Sequence, residues 1–213
     1  MGTIINFLNE GNIRLRDSLR EKIISFGLVL KSCFNFGTIK KEENPKEYFA
    51  AAVLNKIYSI NISLENLLLT NDIFLSNYLY RYIYELYIKV FYIFSDPAEE
   101  EILSRLEKFF ENKDLKMKEY QDGIDDNLLP LKLKEKHIKK YQQMCRIAHP
   151  NIDSLNIHIN KTPDGQFDFL VPTVNLIIWH SAEIIKLFSK LKLLGIDRNI
   201  DRDKLTQLVI TKM

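Results

Sequence analysis

The sequence predicts an all-α fold, an antiparallel helical bundle of about six to seven helices with a small β-hairpin or flap near the C-terminal third. Three observations point there. Only 7 glycines and 6 prolines punctuate 213 residues, so the elements are long. Apolar residues recur at three- and four-residue steps over most of the chain. The long apolar stretches are joined by short links with cap signals, which makes neighbours antiparallel.

In order, Thr3 to about Phe36 reads as one long amphipathic helix or two shorter ones, with Gly11 and Gly27 as possible breaks. Gly37 to Pro45 is a polar connection. Pro45 opens a helix at its first turn, where a missing N–H has no consequence, and the helix continues to about Leu69. Thr70-Asn71-Asp72 is a tight link with Asp72 as the next cap. The central helix follows, DIFLSNYLYRYIYELYIKVFYIF from Asp72 to Phe94, apolar on nearly every side. Such a helix belongs in the interior. It carries Asn77, Arg81, Glu85 and Lys89 at four-residue steps, a stripe that the same argument places inside.

Ser95-Asp96-Pro97 repeats the start signal for a helix reaching about Asn112, with Glu99, Glu100 and Glu101 at its positive end. A short helix from Asp114 to about Gln121 and a loop from Asp122 to Pro130 come next. A basic helix then runs from Leu131 to His149 and stops at Pro150. Leu155 to Val171 alternates polar and apolar residues around Thr162-Pro163-Asp164-Gly165, the pattern of a hairpin. Pro172 opens a long helix to about Leu194, ended by Gly195, and a short helix covers Asp201 to Ile210. The whole reads as one helical domain over 1–213. Residues 1–44 form an N-terminal helical arm, 45–151 the core bundle, and 152–213 the hairpin and C-terminal helices.

Formal net charge is +2, which by itself implies no polyanionic partner, but the charge is polarised. From Asp96 to Asp126 eleven acids face five bases, and from Leu131 to His149 six lysines or arginines face Glu135 alone. Cys33 and Cys145 fit no metal spacing and read as reduced thiols of a cytoplasmic protein. The N-terminus has neither a secretory signal pattern nor the Ser or Thr of a myristoylation start. A membrane span over the central helix is disfavoured, because Arg81, Glu85 and Lys89 would each cost a few kcal/mol in hydrocarbon.

Arg81 and Glu85 are the first candidates for chemistry. Either they are an ion pair that fixes helix packing, or Glu85 holds Arg81 so that its planar fork faces a phosphate or carboxylate. Arg146 and His149 are the second. At a helix C-terminus a charged imidazole is favoured, and beside Arg146 it suits proton transfer at a phosphodiester. The plainer reading is a C-cap bonding the last carbonyls. Lys132, Lys136, Lys139 and Lys140 with Tyr141 form either a nucleic-acid-binding face or an ordinary solvated one. His180 and Glu183 lack a second Glu-x-x-His, so no metal site and no cofactor is expected. His137 and His158 read as surface or edge residues.

Arg81-Tyr82-Ile83-Tyr84-Glu85 inside an apolar helix, followed by Cys145-Arg146-Ile147-Ala148-His149-Pro150, resembles the hallmark of a bacterial all-helical family. That family has Arg-x-x-x-Glu and then Ser-x-x-x-His-Pro at a helix end; here Cys145 takes the serine position. The resemblance covers roughly Pro45 to Asn151. The arrangement is in turn similar to the HEPN superfamily of helical bundles, many of them metal-independent endoribonucleases of toxin–antitoxin, phage-defence and RNA-processing systems. The resemblance implies RNA as target and a site completed across a homodimer. It implies His149 as acid or base, and Arg146 with Arg81 as the cations. In the superfamily four to six residues separate arginine and histidine, whereas two separate Arg146 from His149. The alternatives are a non-catalytic module docking a protein partner such as an antitoxin, and a bundle that binds a small ligand.

Overall fold

The computed structural model describes residues 10–34, 36–96, 98–111, 115–124 and 163–196, together with 135, 138, 139, 141, 142, 145, 200, 203 and 205–207; at 10–12 and 163–169 it describes the backbone alone. Among these residues the regular structure is all helix, with no strand. The elements are α1 (Glu10–Ser32), α2 (Pro45–Thr70), α3 (Ile73–Ile93), α4 (Glu99–Phe110), α5 (Met117–Asp122), α6 (Pro163–Lys190) and a 3₁₀ turn at Leu193–Gly195. Residues 135, 138, 139, 141, 142 and 145 are also helical, as the basic segment requires.

α3 is the axis of the bundle, and its most extensive packing is against α6. Tyr80, Tyr84 and Tyr87 sit fully buried on it, at the four- and three-residue steps that share one helical face. α6 answers with Ile177, Ile178, Ala182 and Ile185, all inaccessible. α1 joins the same core through Ile23, Phe26 and Leu30. No helix among the described residues is long and apolar enough to cross a membrane.

The α2–α3 link forms as its residues dictate. Asn71 adopts the left-handed conformation (φ 53°) that ends a helix, and its amide returns to the Leu67 carbonyl. The Asp72 carboxylate accepts from the Leu75 N–H at 3.0 Å, satisfying one of the orphan amides that open α3. The Arg16 guanidinium donates to Asn71 Oδ1 at 2.7 Å and ties the link to α1.

Several boundaries differ from expectation. Neither Gly11 nor Gly27 breaks α1. A Cβ on Gly27 would lie 2.8 Å from Asn61 Nδ2, so this glycine makes room for α2. α4 begins after Ala98, and Asp96 accepts the Ala98 N–H at 2.9 Å rather than capping the helix proper. α5 starts at Met117 and is steadied by the Lys116 N–H donating to Glu119 Oε2 at 2.8 Å.

The hairpin is the main correction. Pro163-Asp164-Gly165, expected as its turn, and Gln166 to Val171, expected as its second strand, are helical and belong to α6. Pro163 occupies the first turn, where it lacks nothing. Pro172, expected to open the helix, lies inside it on the exposed side, where water can take over the lost backbone bond. Leu170, Val174, Ile177 and Ile178 are buried at helical spacing, and that face overrides the short alternation before it. The other expected strand, 155–162, lies outside the described residues. α6 ends at Lys190, earlier than expected, and the chain turns through Lys192, Leu194 and Gly195 at positive φ.

Candidate functional site

The site is built on the exposed edge of α3. The stripe drifts outward along the helix: Asn77 is inaccessible, whereas Arg81, Glu85 and Lys89 are half-buried, not interior as expected. Arg81 Nε donates to Glu85 Oε1 at 2.9 Å, one helical turn on. The two side chains keep 39% and 29% of their surface, so the pair is partly screened by water. Among the described residues neither Nη atom of Arg81 makes a hydrogen bond. The Glu85 hydrogen bond, opposed by partial burial, raises the Arg81 pKa further above its ordinary value.

The basic segment docks on this pair. The Tyr141 hydroxyl donates to Glu85 Oε1 at 2.7 Å. Its ring stacks on Tyr84 with centroids 4.9 Å apart and planes 28° apart. Burial first, then the Glu85 hydrogen bond and charge, and then Cys145 push the Tyr141 phenol well above its ordinary value, so it is a donor at any physiological pH. Cys145, one turn after Tyr141, is close enough to add to the shifts of both Tyr141 and Arg81. Beneath this layer the Gln121 amide donates to the Tyr84 hydroxyl at 2.8 Å, which locks α5 to α3.

Arg81, Glu85, Tyr141 and Cys145 therefore converge, although some sixty residues separate the two segments in sequence. The Tyr141 ring and hydroxyl are both engaged by α3. Lys139 is exposed. His149, Arg146, Lys132, Lys136 and Lys140 lie outside the described residues.

His180 is a core residue. It is fully inaccessible, its ring meets Tyr80, Tyr84, Tyr87 and Trp179 edge-on, and Nδ1 lies 2.6 Å from the Leu176 carbonyl. A carbonyl only accepts, so Nδ1 carries the proton. Glu183 pairs with Lys186 at 2.8 Å. Among the described residues no group of histidine, cysteine, aspartate and glutamate is arranged to hold a metal ion.

Two features escaped the sequence reading. Arg105, with only 12% of its side chain exposed, gathers the end of α3. It donates to the Tyr92 carbonyl at 2.5 Å, Ser95 Oγ at 2.8 Å and Glu101 at 3.0 Å, and stacks over the Tyr92 ring at 4.5 Å. Its spacing from Glu101 was the available signal, but the reach to Tyr92 depends on the α3–α4 turn. The second feature is a groove of 470 Å³ between α4 and the start of α2, floored by Leu103, Leu106 and Phe110 and rimmed by Glu42, Glu107, Glu111 and Lys41, whose ammonium lies 4.3 Å from the centre of the Phe110 ring. No family model matches the chain, and no curated protein or solved structure matches it either.

Proposed function

We propose that the chain is an HEPN-like helical protein that acts on RNA, with Arg81 receiving a phosphate and Glu85 positioning it. The observation that supports this reading is the double use of Glu85 Oε1 by Arg81 Nε and the Tyr141 hydroxyl. It brings the segment that leads into Arg146 and His149 beside a half-exposed guanidinium.

In this reading His149 takes the proton from a ribose 2′-hydroxyl as that oxygen attacks the adjacent phosphorus. Arg81 and Arg146 meet the charge growing on the non-bridging oxygens. The P–O5′ bond breaks, the 5′-oxygen takes a proton from solvent water, His149 returns its own proton to solvent, and the products are a 2′,3′-cyclic phosphate and a 5′-hydroxyl. No metal enters the step. Incubating purified protein with mixed RNA in EDTA and identifying the termini tests it. Cyclic phosphate ends formed by the parent chain and lost in His149→Ala support the reading; intact RNA, with no binding at low salt, ends it.

The groove beside α4 favours a second reading, a non-catalytic module that docks a protein partner or another copy of the chain. An apolar segment carrying charge fits a floor of Leu103, Leu106 and Phe110 inside a mixed rim of three glutamates and Lys41. Under this reading His149→Ala leaves every activity of the protein unchanged, while Leu103→Asp abolishes association in analytical ultracentrifugation.

A further inference from the structure

Beside the Arg81–Glu85 stripe runs a second one that the reaction above does not use. Tyr78 and Tyr82 stand four residues apart on α3, with Tyr78 61% exposed and Tyr82 half-buried. Their centroids are 6.5 Å apart and their planes 32° apart. That spacing is almost twice the rise of about 3.4 Å between stacked bases in one strand, so two splayed bases, not a continuous stack, match the rings.

Cations lie on both flanks. The Lys56 ammonium, from α2, sits 5.5 Å from the centre of the Tyr82 ring. Arg81 lies three residues from Tyr78, and positions three apart are neighbours on a helix surface. Among the described residues of α2 and α3 opposing charge is scarce. Glu85, the sole acid of α3, is engaged by Arg81 and Tyr141. Glu47 and Glu65, the two acids of α2, are each nine residues from Lys56, half a revolution around that helix. Solvent-reaching rings between cations are the recognition chemistry of unpaired nucleic acid, where bases stack and phosphates meet positive charge.

We propose that Tyr78 and Tyr82 form a two-ring stacking platform for single-stranded RNA, its backbone held between Lys56 and Arg81. The platform rests on the RNA reading and deepens it by naming the strand state: unpaired, with two bases turned outward next to the phosphate that Arg81 receives. Duplex RNA, whose bases are already stacked on each other, is refused.

The experiment is fluorescence anisotropy of labelled oligouridine and oligoadenosine ten-mers and of a duplex of the two, at several salt concentrations. It uses the full chain and the variants Tyr78→Ala, Tyr78→Phe and Lys56→Ala, with circular dichroism as the folding control. The parent chain binds both single strands and not the duplex. Tyr78→Ala weakens binding about 5- to 150-fold with the salt slope unchanged, and Tyr78→Phe, which keeps the ring, restores it. Lys56→Ala lowers the slope of log K against log salt by about 0.7, one phosphate contact. Binding by the parent chain that Tyr78→Ala leaves intact overturns the platform but not the RNA reading. No binding by the parent chain at low salt overturns both. A change of oligomeric state in Tyr78→Ala, with RNA affinity unmoved, makes the face a protein interface and also overturns it.

Discussion

The Tyr141 hydroxyl and the Glu85 carboxylate meet at 2.7 Å, on the same oxygen that takes the Arg81 Nε–H at 2.9 Å. One carboxylate oxygen thus aims an arginine along α3 and anchors a segment arriving from elsewhere in the chain. The two functions are separable by substitution, because Tyr141→Phe removes the anchor and keeps the ring against Tyr84.

Tyr141→Phe is expected to destabilise the fold by about 1.5 to 3 kcal/mol, the range for a hydrogen bond to a charged group. Glu85→Ala removes the acceptor, and the two changes together cost less than their sum, since each breaks the same contact. Urea unfolding of the four proteins in a double-mutant cycle measures the coupling; additive losses would mean that the contact contributes nothing.

Stability falls in alkali. Burial holds the phenols of Tyr80, Tyr84 and Tyr87 well above their ordinary value of 10.0, whereas in the unfolded chain they ionise near it. A raised folded-state pKa means that the contribution is complete below pH 10 and is lost as pH rises beyond it. Each tyrosine removes about 1.4 kcal/mol per pH unit in that window. Denaturant midpoints from neutral pH upward, followed with tyrosinate absorbance, check this; a flat profile past pH 10 contradicts it.

The two thiols separate by reactivity. Burial pushes Cys33 from its ordinary value of 9.0 up to about 11, and its Sγ is turned to the Val29 carbonyl. Cys145 is only partly buried. A thiol reagent at neutral pH labels Cys145 in the folded protein and Cys33 only on unfolding. Peptide mapping after labelling reads the order, and prompt modification of Cys33 would contradict its placement.

Gly123→Ala is damaging. An added Cβ would stand 2.6 Å from the Tyr92 ring, and that ring is backed by the Arg105 guanidinium, 4.5 Å from its centre. Overpacking of this kind costs about 1 to 3 kcal/mol. Thermal melting shows the loss, and the double change Gly123→Ala with Tyr92→Leu recovers part of it if the ring is the obstacle.

Much of the bundle could be read from the residues. Pro45, Asn71 and Asp72 act through local geometry that any flanking structure would respect, so α2, the link and the start of α3 lie where expected. The stretch Gln166–Val171 misled because six alternating residues suit either period. What decided it is the face α6 presents to α3, a tertiary demand that local spacing does not carry. The Arg81–Glu85 pair was legible at four-residue spacing, but its depth was not, since stripe and core face diverge by degrees along α3. Tyr141 was read with its lysine neighbours, and nothing local signals that Tyr84 and Glu85 wait for it across the bundle.

The most direct measurement of the central claim is the chemistry of RNA ends produced in EDTA by the parent chain and by Arg81→Ala, both shown folded by circular dichroism. The account predicts 2′,3′-cyclic phosphate termini from the parent chain and at least a hundredfold fewer from the variant, about the loss expected for one transition-state donor. Equal yields from the two proteins would contradict it, because the guanidinium that Glu85 positions would then take no part.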